Sequence, residues 1–232
     1  MRTRLTYVWC AALSLAAAVG AGADSLEVKD RQQFADGLFR RSLFELAARE
    51  YASLVDAPGA EGLDNVLFRL GECYRRIRKT SEAEAVYKRL VEQFPKSPNV
   101  PRAQLQRALI LMEAGGGSLE SAAAAFAVLA APEIPAEVRS AALYHWGETL
   151  EQLKRPADAQ AKYEQLCAAF AETDYGMYAG LRVAYLLSQT GKPEDRRRST
   201  GIYLDLAHKA KDPKVAEEAC YFAAQTALAD GQ

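Results

Sequence analysis

Residues 70–95 read LGECYRRIRKTSEAEAVYKRLVEQFP, and residues 146–170 read WGETLEQLKRPADAQAKYEQLCAAF. Landmarks of the first stretch recur in the second, each 76 positions later: Gly71 and Gly147, Ala83 and Ala159, Tyr87 and Tyr163, Leu90 and Leu166, Phe94 and Phe170. A shared offset at so many positions indicates an internal repeat, here two units of about 38 residues each. The sequence therefore predicts a repeat array.

Weaker copies of the pattern lie before, between and after these stretches. The spacing Ala-x-x-x-aromatic-x-x-Leu begins at Ala47 and at Ala122, and a degenerate copy contains Tyr203 and Leu206. This spacing places its three residues on one face of an α-helix. We therefore expect an all-α fold, a right-handed superhelical array of antiparallel helix pairs. About five pairs are predicted, followed by an unpaired eleventh helix from about Pro213 to Ala229.

The pattern resembles the tetratricopeptide repeat family from about Arg31 onward. The residues that carry the resemblance are Gly71, Tyr74, Ala83, Tyr87 and Pro95 in the second repeat and Gly147, Ala159 and Tyr163 in the fourth. The glycines are expected where the two helices of one repeat approach most closely, facing the small alanines. The resemblance implies a protein-binding array. It is strongest to bacterial periplasmic members that coordinate envelope division or assist outer-membrane assembly.

The first residues have the composition of a secretory signal peptide. Arg2 and Arg4 precede an apolar stretch from Leu5 to Val19, and Ala21 and Ala23 have the spacing of a cleavage site. We therefore predict a cleaved signal over residues 1–23, a repeat domain over residues 24–232, and an exported, periplasmic product. The apolar stretch is shorter than the roughly 20 residues that span a bilayer. No membrane span is expected after cleavage.

Charge and residue usage exclude several classes of function. The formal net charge is −1, and it becomes −3 when Arg2 and Arg4 are removed, so a nucleic-acid partner is not expected. The cysteines after the signal are expected to be small buried hydrophobes: Cys73, Cys167 and Cys220. Neither histidine has metal-ligand spacing, and Glu148 and Glu151 are expected to be solvated. We expect no catalytic site, no cofactor and no metal.

The resemblance also places a concave groove along the first helix of each repeat. The residues predicted to face this groove are Phe68, Glu72, Arg75, Leu105, Met112, Tyr144, Glu148, Tyr178, Arg182 and Tyr185. Aromatic residues interleaved with glutamate and arginine suit an extended peptide or a partner helix. The alternative is that Leu105 and the tyrosines pack between repeats. Ser81 with Glu84 also predicts a capping box at the start of a second helix.

Two functions are compatible with this sequence. The first is a non-catalytic scaffold of the bacterial cell envelope that binds a protein or peptide partner in its groove. The second is a helical docking arm of a longer envelope enzyme, for example one acting on peptidoglycan. A helix such as the eleventh would normally be followed by a partner helix or a polar cap. The array is therefore expected to continue beyond residue 232.

Overall fold

The computed structural model describes residues 27–57, 62–210 and 212–229. The predicted signal peptide lies outside the described residues, and so do the last three residues of the chain. No strand occurs in the part of the chain that is described. None of the described helices is both long and apolar enough to span a membrane.

The described residues form eleven α-helices, as the repeat pattern predicts. Their bounds are α1 (27–40), α2 (Phe44–Val55), α3 (Leu63–Arg76), α4 (Thr80–Gln93), α5 (Val100–Ala114), α6 (Leu119–Leu129), α7 (Ala136–Gln152), α8 (Pro156–Phe170), α9 (Asp174–Ser188), α10 (Pro193–Lys209) and α11 (Pro213–Ala229). A short 3-10 turn, Gly116–Ser118, precedes α6. Proline at the first position of α8, α10 and α11 suits the helix start, where its missing N–H is not needed.

The helices belong to two compact units. The N-terminal unit ends at Ala103, and the C-terminal unit begins at Gln104. In the first unit α2 packs on α3 and α3 packs on α4. In the second, consecutive helices from α6 to α11 pack on one another, while α7 also contacts α9 and α9 contacts α11. Short connections between successive packed helices make each pair antiparallel. The predicted all-α array of antiparallel helix pairs is confirmed.

One aromatic ring from each second helix forms the centre of each repeat. Each of these rings is at most 1 % exposed: Tyr51, Tyr87, Phe126, Tyr163 and Tyr203. The alanine four positions before the ring and the leucine three positions after it are equally buried in the first four repeats. In the fifth repeat Ser199 replaces the alanine, and its buried hydroxyl donates to the Ala184 carbonyl oxygen at 2.6 Å. That bond satisfies a polar group that burial would otherwise destabilise.

The two glycine landmarks lie against these buried rings. A Cβ on Gly71 would lie 2.5 Å from Cε1 of Tyr87, and a Cβ on Gly147 would lie 2.4 Å from Cε1 of Tyr163. The predicted close approach is therefore present. Each glycine faces the flat ring of the tyrosine, so the ring rather than the alanine sets the distance between the two helices.

Two local predictions are wrong. Helix α4 begins at Thr80 after Lys79, with no side-chain cap, so Ser81 lies inside the helix and forms no capping box with Glu84. Of the three cysteines that follow the predicted signal peptide, Cys73 is buried, Cys167 is partly buried and Cys220 is exposed. Cys220 lies on the solvent side of α11 because Ala219 and Ala223 occupy its buried face. The residues next to Cys220 in sequence are apolar, but apolar sequence neighbours do not bury a side chain on the solvent side of a helix.

Candidate functional site

The predicted groove residues lie on the first helices of their repeats. Phe68, Glu72 and Arg75 lie on α3 of the N-terminal unit. The rest belong to the C-terminal unit: Leu105 and Met112 on α5, Tyr144 and Glu148 on α7, and Tyr178, Arg182 and Tyr185 on α9. The structure therefore separates the set into two groups, of which the second is the larger.

The α3 residues also contribute to packing within their own unit. The Tyr87 hydroxyl donates to Glu72 Oε1 at 2.8 Å, and the Phe68 ring lies 6.0 Å from the Tyr87 ring between centroids. In the C-terminal unit, Leu105 and Met112 are partly buried against the cluster around Phe126. Phe68, Glu72, Leu105 and Met112 thus make packing contacts, because each of them lies against a buried landmark residue of a repeat.

A continuous polar and aromatic face runs along α7 and α9, which contact each other. We call it the α7–α9 surface. It consists of Tyr144, Glu148 and Glu151 from α7 and of Tyr175, Tyr178, Arg182 and Tyr185 from α9. Within each helix these residues are three or four positions apart, so they share one side of the helix. Seven side chains are thereby collected on neighbouring first helices of one unit.

One part of this surface is a cluster of aromatic rings centred on Tyr144. Its ring centroid lies 5.7 Å from Tyr163, 5.5 Å from Tyr175 and 6.5 Å from Tyr178. The His145 ring lies 5.5 Å from Tyr144 and 5.8 Å from Tyr175. Such distances are those of attractive aromatic pairs. Tyr144 connects the buried core to the surface, because Tyr163 is buried and Tyr178 is 39 % exposed.

The other part of this surface is organised by Glu151, a residue that the sequence predicts to be solvated. That prediction is wrong, since the Glu151 side chain is only 18 % exposed. Its Oε1 accepts from the Tyr163 hydroxyl at 2.8 Å and from Arg182 Nε at 3.1 Å, and Arg182 also bonds its second oxygen. This two-point ion pair fixes α9 to α7. Arg182 in turn lies 5.1 Å from the centre of the Tyr185 ring.

The bond between a buried tyrosine and a first-helix carboxylate recurs in three repeats. Tyr51 donates to Asp36, Tyr87 to Glu72 and Tyr163 to Glu151. A buried hydroxyl needs such an acceptor. The spacing of 15 residues in the first two repeats is a regularity that sequence inspection could have revealed. In the fourth repeat the spacing is 12, which hides Glu151 from a search at the same offset.

The electrostatic field at the aromatic cluster is set by carboxylates. Burial, followed by the negative charge of Glu148, raises the pKa of Tyr144 to about 12. Burial and the same carboxylate, followed by Glu137, also raise the pKa of Tyr175. Both hydroxyls are therefore neutral at physiological pH. They cannot act as bases there and offer only rings and neutral hydrogen-bonding groups.

The arrangement suits binding rather than chemistry. Glu148 Oε2 lies 2.7 Å from Nδ1 of His145 on the same helix. One oxygen of the carboxylate is therefore already paired within α7. Within the described residues, no group of three metal-binding side chains is found. Exposed tyrosines and an arginine on one helical face are the residue types that anchor protein partners.

Two segments of the chain match the tetratricopeptide repeat family profile, residues 65–97 and 141–173. They contain α3 with α4 and α7 with α8, which are the second and fourth repeats. The match supports the resemblance at the repeats where the landmarks are most complete. A comparison with curated protein sequences gives no match.

Solved structures share the fold at low sequence identity. MamA (residues 41 to the end) from Desulfovibrio magneticus is 12 % identical with a TM-score of 0.62, over 78 % of this chain and 93 % of that one. Yeast Tom70 is 16 % identical with a TM-score of 0.64, over 85 % of this chain and 39 % of its own. The apo form of RapI is 14 % identical with a TM-score of 0.71, over 84 % and 58 % respectively. These similarities show the fold.

Proposed function

We propose that this protein is a non-catalytic scaffold of the bacterial cell envelope that holds a peptide or helix of a partner protein on the α7–α9 surface. Tetratricopeptide arrays generally act as protein-binding scaffolds, and two repeats here match that family. One observation indicates that the α7–α9 surface is the binding site. Tyr178 and Tyr185 project from α9 with more than a third of each side chain exposed, on either side of an arginine that is fixed by Glu151.

The spacing of the exposed residues favours an elongated ligand. Tyr178, Arg182 and Tyr185 occupy positions i, i+4 and i+7 of one helix and therefore extend along about two turns, or roughly 10 Å. A partner helix or an extended segment of three or four residues covers that length. Because Arg182 is held by two hydrogen bonds and Tyr178 by its contact with Tyr144, little side-chain entropy is lost when a partner binds.

The double substitution Tyr178→Ala and Tyr185→Ala should weaken partner binding at least thirtyfold, because truncating hot-spot aromatics typically removes about 2 kcal/mol or more of binding free energy. Affinity capture from envelope extract, followed by titration of the captured partner, measures the change. Circular dichroism should be unaltered, since neither ring is buried.

The matched control replaces two exposed apolar residues of the second helices in the same unit. Val128 on α6 and Leu204 on α10 are 66 % and 48 % exposed. Val128→Ala with Leu204→Ala should leave the affinity unchanged. Loss of binding in this control, with none in the tyrosine variant, would place the partner on the second helices and contradict the proposal.

Phe68 and Tyr144, at equivalent positions in the second and fourth repeats, are less suitable probes. The sequence predicts that their truncation reduces affinity more than packing. In the structure each ring contacts the buried tyrosine of its own repeat, Tyr87 or Tyr163. Truncating either one therefore also removes support from the core, and a loss of binding would have two explanations.

The envelope location rests on the signal sequence. Protein exported from a bacterial host should begin at Asp24, because Ala21 and Ala23 have the spacing of a cleavage site. Intact-mass measurement of the periplasmic fraction tests this directly. The variant Ala23→Phe places a bulky residue at the cleavage position and should retain the apolar segment. Mature wild-type protein that still carries residues 1–23 would contradict the assignment.

A further inference from the structure

The aromatic cluster of the α7–α9 surface lies in a region where negative charge exceeds positive charge. The charged groups that act on Tyr144 are Glu148, Glu151 and Arg182, and those that act on Tyr175 are Glu148 and Glu137. The α7–α9 surface itself contributes two carboxylates, Glu148 and Glu151, and one guanidinium, Arg182. The imbalance is local, since the chain as a whole has a formal net charge of only −1.

Because Glu151 is paired with Arg182, the excess negative charge of this surface lies at Glu148. Arg182 binds both carboxylate oxygens of Glu151 through Nε and Nη2, so the charges of that pair offset each other. Glu148 is 34 % exposed and contacts His145, whose imidazole compensates the carboxylate only when it is protonated. Glu148 lies four positions after Tyr144, one helical turn along the same face of α7. A carboxylate with water access is therefore adjacent to a set of tyrosine rings.

Rings next to a carboxylate form a recognition site for cations. The faces of tyrosine and tryptophan rings attract ammonium and guanidinium groups, most strongly where water is excluded. The same unit already contains such contacts: Lys162 lies 4.0 Å from the Trp146 ring centre and Arg139 lies 4.8 Å from that of Phe170. The rings of the cluster are held in place by one another, so their faces are ordered before any ligand arrives.

We infer that the partner segment inserts a lysine or arginine side chain over the Tyr144, Tyr175 and Tyr178 rings, beside Glu148. This inference rests on the proposed function and specifies the chemistry of the partner. A cation there meets an exposed ring face of Tyr178 and the partly exposed carboxylate of Glu148. An acidic segment would meet the carboxylates instead and would be repelled. The partner is therefore a basic peptide or a helix with at least one cationic residue.

The test uses two small probes that differ only in charge. N-acetyl-arginine methylamide and its neutral counterpart N-acetyl-citrulline methylamide are titrated into the full chain at low salt. Aromatic proton–carbon spectra report the rings of Tyr144, Tyr175 and Tyr178. The arginine probe should shift these resonances saturably, with an affinity at least threefold higher than that of citrulline. Equal shifts from both probes, or shifts spread over the whole surface, would overturn the inference.

Two variants and one control locate the effect. Glu148→Gln removes the charge at nearly constant size, and Tyr178→Leu removes the ring while keeping an apolar side chain. Each should weaken arginine binding at least threefold. Glu164→Gln is the control, because Glu164 binds Arg198 on the second-helix layer and should not matter. Unchanged Tyr163 resonances in each variant show that the core is intact. Full arginine affinity in Glu148→Gln would overturn the inference.

The inference and the proposed function can fail separately. A partner that loses affinity in the Tyr178→Ala and Tyr185→Ala variant, but not when its own lysines and arginines are replaced by glutamine, would support the scaffold and overturn the cation site. Arginine binding that is specific to the cluster, in a chain whose partner binds equally well without both tyrosines, would leave a cation site but overturn both the proposed surface and its use by the partner.

Discussion

Gly147→Ala should lower the free energy of unfolding by about 2–3 kcal/mol, the upper part of the range for overpacking a well-packed contact. The added Cβ would lie 2.4 Å from Cε1 and 2.5 Å from Cζ of Tyr163, whose ring is fully buried. The ring cannot move away without breaking its hydrogen bond to Glu151. Chemical denaturation followed by circular dichroism measures the change, and Gly147→Leu should have a larger effect.

A second glycine of the same unit provides the control. Gly201 lies within α10, and a Cβ at that position would have nothing within 4 Å. Gly201→Ala should therefore stabilise the unit by up to about 1 kcal/mol, because alanine favours the helix over the unfolded chain. Combining Gly147→Ala with Tyr163→Leu should recover part of the loss. If Gly147→Ala and Gly201→Ala had the same effect, the contact between Gly147 and the ring would not support the repeat.

Stability should also fall steeply above pH 10, because the buried tyrosines resist ionisation. In the C-terminal unit, burial and the hydrogen bond to Glu151 raise the pKa of Tyr163 above its ordinary value of 10.0. Burial and the charge of Glu218 raise the pKa of Tyr203 to about 12. Above pH 10 the unfolded chain loses these protons and the folded chain keeps them. The stability present below pH 10 is therefore lost as the pH rises toward the folded-state pKa values.

The expected slope is about 1.4 kcal/mol per pH unit for each such tyrosine, and Tyr144, whose pKa is also raised to about 12, adds to the effect of Tyr163 and Tyr203. Denaturation curves at pH 8, 10 and 11 measure it. Tyr163→Phe should reduce the slope by about 1.4 kcal/mol per pH unit and cost roughly 1 kcal/mol at pH 8, where its hydrogen bond is lost. Tyr221→Phe is the control, since Tyr221 is 63 % exposed. A slope that Tyr163→Phe leaves unchanged would contradict the account.

The helix pairs could be predicted because their signal is short-range. Alanine, an aromatic residue and leucine at positions i, i+4 and i+7 must share one helical face. The pattern that starts at Ala83 or Ala159 therefore indicates that these three residues are buried. The sequence predicts that the alanine faces the glycine, and the structure instead places the tyrosine ring there. Prolines at the first positions of α8, α10 and α11 fix three helix starts for equally local reasons. The fold therefore depends on features that a single repeat displays.

The site was less predictable because its residues are joined across repeats. The residues next to Glu151 in sequence do not distinguish it from a solvated glutamate, because its partners Tyr163 and Arg182 lie 12 and 31 residues later. Position along a helix face likewise does not distinguish a ring that packs, such as Tyr144, from one that remains exposed, such as Tyr178. That difference depends on how closely α7 and α9 approach.

The central claim, that the α7–α9 surface holds the partner, is tested most directly by photo-crosslinking. Benzoylphenylalanine is placed at position 178 on α9 and, separately, at position 204 on α10, whose leucine is also well exposed. Irradiation in envelope extract should give a crosslinked partner from position 178, and an excess of the arginine-containing partner segment should abolish it. Position 204 should give none. A partner crosslinked from position 204 and absent from position 178 would contradict the claim.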